Sequence, residues 1–597
     1  MESRMLEKER CTSRTVDCSS RLDVIRKHLA TNAGGASCPI SLQVQDCGTS
    51  SRIGSSETKV LNNDVELMPP CSGQERAYST LLTPQAIRFV ADMVIEFDNK
   101  VDQILRERIQ RKLELDATNA QPDFRTDTLH IQQGTWTVDP VPRRLVNRHV
   151  DLGDVSPANI QHFTRSLQSS AQGIQTDFDD GHCPTRRTQI EGLYNVYRAV
   201  HNQIPGVPPI QHAPILMLRP RAWNMVEHNM IVNGKEVPGP LFDFALLMFH
   251  NAKILLDRES GPFFYLSKIE GYREARLWDK IFTWAEVKLG LPLGCVKATV
   301  LIENILAAFE MHEILYELRK HSAGLNCGLW DYSASFVNKF GHRPDFVLPD
   351  RHKYVNMERH FLKSYLVLTI KTCHQRGCHA TGGMSALLLP SKKGPEYSAG
   401  VEKACRAKLS EIKAGVDGFM VYDIGLLQPM QQVWAKFAPS PNQLSVLRSD
   451  VQVQARDLLL MPSGGVTLSG LKTNIAVGVL FIDSWLIGRG HFPHDGSVED
   501  SATAEISRSQ VWQWIRHGTC LEDNKQPVTR QLVIELTQAF LADAASGASR
   551  SGHGDATKRL RVSANIFLQL VMKRDFPEFI TTYLNLTDSF LSSPWNM

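Results

Sequence analysis

The sequence predicts an α/β fold, a TIM (β/α)8 barrel with a helical region before it and another after it. Between about residues 173 and 470, short apolar runs alternate with longer helical patterns, which is typical of repeated βα units. A long amphipathic helical pattern precedes this stretch, and helical patterns return after about residue 474. About 300 residues of βα alternation suit a barrel that carries its functional residues at the carboxyl ends of its strands.

The composition excludes two classes of function. The chain has 597 residues, 42% of them hydrophobic, and a formal net charge of +3, so it can bury a large core without a global charge bias toward nucleic acid. The longest apolar runs, 241–249 and 475–487, contain Asp243 and Asp483 and are too short or too interrupted to span a bilayer. We therefore expect no nucleic-acid partner and no membrane insertion.

The first segment, residues 1–75, is predicted to be a disordered leader because it is rich in Ser, Thr, Gly and Cys and lacks a sustained apolar period. Within it, Arg21-Leu22, five residues, then His28-Leu29 resembles the N-terminal peroxisomal address, although so short a pattern also arises by chance. The acidic Glu2, Glu7 and Glu9 disfavour a mitochondrial presequence. The prediction is a peroxisomal or glyoxysomal protein that binds an import receptor, with the cytoplasm as the alternative.

The cysteines do not indicate a disulfide framework. There are twelve, scattered without framework spacing, which favours a reducing compartment. Cys373 and Cys378 lie beside His374 and His379, but no second ligand pair has zinc spacing, so a zinc site is disfavoured.

Residues 76–165 are assigned to the N-terminal helical region. Thr83-Pro84 is a good N-cap and first-turn pair, and apolar residues then recur at helical spacing from Ile87 to Ile104. The barrel is assigned to residues 166–473. Its expected strands include five apolar runs, namely Pro214–Leu218, Pro262–Leu266, Ala298–Ile302, Tyr365–Ile370 and Val416–Val421.

Residues 474–597 form the last predicted region, with helices over about 502–515 and 528–541. It contains an acidic phrase, Glu499-Asp500, directly before the first of these helices. An acid at that place is ordinarily a helix N-terminal residue favoured by the helix dipole.

Two acids are candidate metal ligands. Glu303 ends the run Ala298–Ile302, and Asp331 lies 28 residues later, about one βα unit away. Hard oxygen ligands on neighbouring strand ends suit Mg²⁺. The alternative is that Glu303 pairs with a lysine and that Asp331 caps a helix.

A glycine turn and two arginines complete the candidate residues. Gly328, Leu329, Trp330 and Asp331 form a turn whose backbone N–H groups can converge on a carboxylate, because glycine lacks the Cβ that would block approach. In Arg219-Pro220-Arg221 a guanidinium offers a permanently charged fork of donors for an oxyanion.

In these phrases, and from about Leu81 to the C-terminus, the chain resembles malate synthase of the shorter, A-type form. The resemblance implies that the helical regions are an N-terminal clasp and a C-terminal plug on the barrel. It implies a Claisen condensation of acetyl-CoA with glyoxylate, then hydrolysis to malate and CoA, in the glyoxylate cycle. Asp500 would be the base, Arg221 the catalytic and substrate-binding arginine with Arg219 as its rival, and Glu303 and Asp331 the Mg²⁺ ligands.

The resemblance also places glyoxylate on the turn from Gly328 to Asp331. The phrase Asp177 to Asp180 would form pocket wall. The chain departs from the family pattern between Met420 and Ile424, where the family has Trp and His-Pro, and at His491. Two alternatives therefore stay open: a malyl-CoA-type lyase that does not hydrolyse its product, and a catalytically silent relative retained for binding or assembly.

Overall fold

A computed structural model of the chain describes residues 65–548 and 554–591. The predicted targeting motif, Arg21-Leu22 with His28-Leu29, lies outside the described residues.

The N-terminal region contains one strand and three helices, which are β1 (Val65–Leu67), α1 (Glu75–Leu81), α2 (Pro84–Thr118) and α3 (Leu129–Gln133). Helix α2 begins where the sequence predicts, because the side chain of Thr83 accepts a hydrogen bond from the N–H of Ala86. The assignment of residues 65–75 to a disordered leader is wrong. Val65 and Leu67 are buried and β1 pairs antiparallel with Val226–Val232; three residues are too few to give a periodic signal.

The central region is the predicted barrel. Its elements, in chain order, are β2 (Val150–Val155), α4 (Ile160–Leu167), β3 (Gly173–Asp177), α5 (Arg186–Val200), β4 (Ile215–Arg219), β5 (Val226–Val232), β6 (Lys235–Pro238), α6 (Gly239–Asp257), β7 (Phe263–Leu266), α7 (Tyr272–Leu289), β8 (Lys297–Ile302), α8 (Ile305–Ala308), α9 (Met311–Glu317), β9 (Ser322–Cys327), α10 (Leu329–Phe340), α11 (Arg351–Tyr354), α12 (His360–Gln375), β10 (His379–Ser385), α13 (Pro395–Ala414), β11 (Gly418–Val421), α14 (Leu427–Phe437) and α15 (Ala455–Leu459).

Eight parallel strands close the barrel in the order β2, β3, β4, β7, β8, β9, β10, β11 and back to β2. The hairpin of β5 and β6 lies outside this barrel and forms a three-stranded sheet with β1. Short 3-10 turns occur at Arg143–Leu145, Pro344–Phe346 and Ile424–Leu426.

Two sequence predictions for the barrel are wrong. The barrel does not start at residue 166, since its first strand is Val150–Val155. That strand carries acids rather than an apolar run; Asp151 is buried inside the barrel and pairs with Arg148 at 2.6 Å. The run Tyr365–Ile370 is not a strand but part of helix α12, which is buried over most of its length, and a short apolar run of that kind does not distinguish helix from strand.

The barrel interior is packed at its lower end and polar at its upper end. Below, a cluster of buried side chains fills the space between the strands, with members Leu145, Ile215, Met217, Phe263, Tyr265, Leu301 and Ala323. Above, at the carboxyl ends of the strands, buried charged residues replace the apolar ones. This is the end at which barrels carry functional sites.

The C-terminal region is helical with one hairpin, and its elements are α16 (Leu468–Trp485), β12 (Phe492–His494), β13 (Ser497–Glu499), α17 (Ser501–His517), α18 (Arg530–Ala548), α19 (Gly554–Met572), α20 (Ile580–Asn585) and α21 (Asp588–Leu591). It has its own buried apolar cluster. Helix α17 packs against α10 of the barrel, which brings its first residues to the barrel mouth. Among the described residues, no helix combines the length and apolarity needed to cross a membrane.

Candidate active site

A cavity of about 130 Å³ lies at the carboxyl ends of the barrel strands, under the hairpin of β12 and β13. Most of the site residues predicted from sequence line it, namely Glu303, Gly328, Leu329, Trp330, Asp331 and Asp500. The lining also includes Arg219, whereas Arg221 does not reach the cavity. The structure therefore gathers segments as far apart in the chain as Asp154 and Thr503.

Three buried carboxylates converge on one side of this cavity. Asp180, Glu303 and Asp331 each offer an oxygen, and these oxygens lie within 4.8 Å of one another. Glu303 follows β8 directly, and Asp331 stands in the first turn of α10. Asp180, which follows β3, joins the two acids that the sequence singled out. Within the described ranges this is the only group of three or more potential ligands, and the cysteines Cys373 and Cys378 are not part of one.

The charge of this cluster is not balanced by the cations beside it. Lys268 Nζ lies 2.9 Å from Asp179 Oδ2, 2.7 Å from Asp180 Oδ1 and 3.4 Å from Asp331 Oδ2. Arg219 bonds Asp179 at 3.0 Å and also contacts Asp180. Two cations thus face the carboxyls of Asp179, Asp180, Asp331 and the nearby Glu303, so a further positive charge would be stabilised here.

Burial and the neighbouring charges shift the pKa values of these carboxyls in different directions. Burial raises the pKa of Glu303 to about 7, and it raises the pKa of Asp331 well above its usual value; Lys268 opposes both shifts. For Asp180 the guanidinium of Arg219 and the ammonium of Lys268 outweigh burial and hold the pKa below its usual range. Asp331 Oδ1 is buried and accepts no hydrogen bond from the described residues, as expected for an oxygen that coordinates a cation.

The two arginines of Arg219-Pro220-Arg221 point to different sides. Arg219 is the last residue of β4 and its guanidinium lies among the acids of the cavity. Arg221 instead donates from Nη2 to Glu227 and to Asp243, each at 2.8 Å, and from Nε to Asp243 at 3.0 Å. Its donors are therefore committed to helix α6 and the β5 strand, behind the cavity.

Asp500 is at once a helix cap and a cavity residue. Its Oδ1 accepts a hydrogen bond of 2.9 Å from the N–H of Thr503, while the hydroxyl of Thr503 accepts from the N–H of Asp500, a reciprocal capping box on α17. Capping uses one carboxylate oxygen, and the other is available to the cavity that Asp500 lines. The next residue, Ser501, donates its hydroxyl to Asp180 and so connects α17 to the carboxylate cluster.

In the turn from Gly328 to Asp331, one backbone N–H group is already hydrogen-bonded within the protein. The N–H of Gly328 donates to the hydroxyl of Tyr365 at 3.0 Å, and that hydroxyl donates to the carbonyl of Ile302. A Cβ at Gly328 would come within 3.0 Å of Glu303 Cβ, so a glycine lets the turn approach the cluster. Gly328 precedes α10 without a side-chain cap, which leaves the first N–H groups of that helix, at 329–331, without a capping side chain.

The segment that departs from the family pattern splits into two parts. Met420 lines the cavity. Asp423 does not, and its carboxylate accepts from the N–H groups of Leu389 and Gly425, each at 2.8 Å. His491 lies beside the site, with Nδ1 2.7 Å from the carbonyl oxygen of Gly181.

Sequence reasoning missed several cavity residues, among them Asp154 and Gln175, and did not assign Asp180 as a possible ligand. Asp180 sits in an acidic phrase in which any of three acids could face the site, and only the turn after β3 selects it. Asp154 lies inside a strand, and the Gly153-Asp154 pair was its one available signal, since that dipeptide indicates a turn or bulge.

Comparison with known proteins agrees with this geometry. Sequence models described as the malate synthase N-terminal domain, TIM barrel domain and C-terminal domain match residues 74–130, 215–461 and 465–586. A malate synthase from Myxococcus xanthus is 39% identical over 514 residues, which cover 84% of this chain and 93% of that protein. The chain belongs to the malate synthase family. The family comprises acyltransferases that condense acetyl-CoA with glyoxylate to form malate.

The chain is also similar to malate synthases from another bacterium and from a plant. Malate synthase A of Escherichia coli strain K12 is 35% identical over 536 residues, covering 88% of this chain and 98% of that protein. A protein of Gossypium hirsutum named as a glyoxysomal malate synthase is 37% identical over 463 residues, covering 75% of this chain and 81% of that protein.

Proposed function

We propose that this malate synthase family member performs the condensation in the 130 Å³ cavity, with Asp500 as the base, Arg219 as the enolate-stabilising arginine and Mg²⁺ as the cofactor. The observation that carries the proposal is the convergence of a capped aspartate, a guanidinium and three carboxylates in one buried space. We expect glyoxylate and the acetyl end of acetyl-CoA to meet there.

Asp500 is suited to remove a proton from the acetyl methyl group. The hydrogen bond from the N–H of Thr503 fixes the orientation of its carboxyl group, and the N-terminus of α17 favours negative charge at that position. Negative charge then develops on the thioester oxygen, where a charge-assisted hydrogen bond from a guanidinium is most useful. Arg219 lines the cavity and Arg221 does not, which supports Arg219 rather than Arg221 in this role.

The glyoxylate would lie against the start of α10. The uncapped N–H groups of Leu329, Trp330 and Asp331, together with the helix dipole, favour a carboxylate at that position. Attack of the enolate carbon on the aldehyde carbon forms the new carbon–carbon bond. Hydrolysis of the thioester then yields malate and free CoA.

The three carboxylates fit a hard divalent cation. Asp180, Glu303 and Asp331 supply oxygens only, the donor type that Mg²⁺ prefers, and the buried Asp331 Oδ1 has no other partner. When bound, Mg²⁺ would supply Lewis-acid polarisation of the aldehyde. Lys268 would then compete less for these oxygens and would pair with Asp179.

The test is release of free thiol from acetyl-CoA, measured with and without glyoxylate and Mg²⁺, in the wild type and in Asp500→Asn. The amide keeps the shape and can still cap α17 through its oxygen, but it cannot accept the proton, so we expect turnover to fall by about 10²–10⁴-fold. Near wild-type turnover in the variant would remove Asp500 from the mechanism. Accumulation of malyl-CoA in place of free CoA would indicate the lyase reaction instead.

We also propose a peroxisomal or glyoxysomal location through Arg21-Leu22 and His28-Leu29, read by an import receptor. The support is the motif itself and the similarity to a plant protein named as glyoxysomal. Cytoplasm is the alternative.

A further inference from the structure

A second aspartate faces the proposed base. Asp154 lines the same cavity as Asp500, and its side chain lies within hydrogen-bonding reach of the Asp500 carboxylate. It comes from β2, whereas Asp500 caps helix α17, so the two acids belong to separate elements. The reaction as described above uses Asp500 and leaves Asp154 without a role.

The backbone is shaped to bring Asp154 into the cavity. The pairing of β2 with β3 shifts register between Leu152 and Val155, as in a β-bulge. Asp154 sits inside that shift with a left-handed φ of +52°. Bulges at barrel rims redirect a side chain, and a left-handed conformation is unfavourable for any residue other than glycine, although Asp and Asn tolerate it best. The chain thus keeps a carboxyl group where glycine would be the relaxed choice.

The protonation state of Asp154 follows from its hydrogen bonds. The residue is 4% exposed, and no N–H or O–H of the described residues donates to its buried Oδ2. A buried carboxylate oxygen without a donor is costly, whereas a carboxylic acid can donate its own proton to the carboxylate it faces. Burial, then the charges of Asp500 and Asp177, raise the pKa of Asp154 well above its usual value, which agrees with a neutral acid.

We propose that Asp154 is a positioning residue for the base: its neutral carboxyl group donates a hydrogen bond to the carboxylate of Asp500. This inference rests on the proposed function, since it needs Asp500 to be the base. Asp500 would then be held from two sides, by the N–H of Thr503 at Oδ1 and by Asp154 at its other oxygen. The donor stabilises the charged form of Asp500, so it keeps the base ionised to lower pH.

Charged groups face the pair from several elements. Those acting on Asp500 include Arg351 and Glu499, which form an ion pair at 3.5 Å, and burial raises the pKa of Glu499. Asp177 on β3 and Arg219 on β4 act on Asp154, with opposite signs. Tyr422, after β11, has its pKa raised to about 12 by burial and by Asp154, and it stays neutral at working pH. The His491 ring, whose centroid lies 5.7 Å from that of Tyr422, is kept neutral because burial lowers its pKa. Tyr422 and His491 are therefore not expected to change charge in place of the pair near neutral pH.

The test is the pH profile of kcat/KM for acetyl-CoA at saturating glyoxylate, whose acid limb reports the base of the free enzyme. Asp154→Gly removes the donor and suits the left-handed backbone; losing a hydrogen bond to the charged form should move the acid limb up by about one pH unit. Asp154→Asn keeps a donor and tolerates the same backbone, so its acid limb should stay near that of the wild type. KM for glyoxylate should change less than about twofold in both variants, because neither removes a glyoxylate contact.

The matched control is Asn233→Gly, which replaces another left-handed residue, exposed in the turn between β5 and β6 and far from the cavity. Its profile should match the wild type. A downward shift in Asp154→Gly would show that Asp154 is an anion repelling Asp500, and an unmoved limb would show no coupling; either result overturns the proposal. If Asp500→Asn itself retained turnover, the proposed function would fail first, and the positioning role with it.

Discussion

The assignment of the two neighbouring arginines makes the sharpest prediction. Arg219→Lys keeps a positive charge among the acids but loses the planar fork of donors that would hold the enolate oxygen. Removal of one preorganised donor to a developing oxyanion typically costs about 10²–10³ in kcat. We therefore expect Arg219→Lys to lower kcat by about that factor.

Arg221→Lys is the comparison, since the two arginines are separated by one proline in the chain. Arg221 makes three short side-chain hydrogen bonds, two to Asp243 and one to Glu227. A lysine ammonium can retain one of them, and each lost bond to a charged group is worth roughly 1.5–3 kcal/mol. We expect the free energy of unfolding to fall by about 3 kcal/mol, while kcat of the folded enzyme changes less than about threefold.

The assay combines glyoxylate-dependent thiol release with urea unfolding of both variants and the wild type. The kcat values must be measured well below the unfolding transition, so that loss of folded protein is not mistaken for loss of chemistry. We expect Arg219→Lys to lose catalysis and Arg221→Lys to lose stability. A large loss of kcat in folded Arg221→Lys with near wild-type kcat in Arg219→Lys would refute it and return the role to Arg221.

Three further predictions follow from the cluster, the leader and the cavity wall. Mg²⁺ should raise the thermal unfolding midpoint of the wild type more than that of Glu303→Gln or Asp331→Asn. Excess Mg²⁺ should restore Glu303→Gln more fully, because Asp331 also belongs to the first turn of α10. If the midpoint rose equally with Mg²⁺ concentration in all three proteins, the ligand assignment would be wrong. Deleting residues 1–29 should leave kcat unchanged and move a fluorescent fusion from peroxisomes to cytosol, and unchanged puncta would contradict the targeting motif. Met420→Trp should change KM for acetyl-CoA or glyoxylate more than it changes the thermal midpoint, because Met420 lines the cavity; constants equal to the wild type would show that the wall does not contact substrate.

In the divergent segment from Met420 to Ile424, the residues do not all face the cavity. Asp423 stands in the part of this segment where the family has His-Pro. The carboxylate of Asp423 caps two backbone N–H groups, so its charge is committed to local structure. Substrate effects of this segment are therefore expected from Met420 alone.

The sequence by itself determined the fold class and the family, and it predicted the acids Glu303, Asp331 and Asp500, which the structure brings into one cavity. These features are local: a helical or strand period over ten residues, an N-cap before a helix, and short phrases whose residue types match one chemistry. Local signals failed for Tyr365–Ile370, where a run buried in a helix has the same composition as a strand, and for the acidic first barrel strand.

Only the tertiary structure decided which side chains share the cavity. Arg219 and Arg221 are chemically identical and separated by one proline, and the partners Asp180 and Asp243, brought near by other elements, send them to different sides. Asp154 enters the cavity only because a bulge in one strand meets the start of a helix almost 350 residues later. The direction in which a side chain points, and which residues it meets across the barrel, depend on long-range packing. Local sequence patterns do not contain this information.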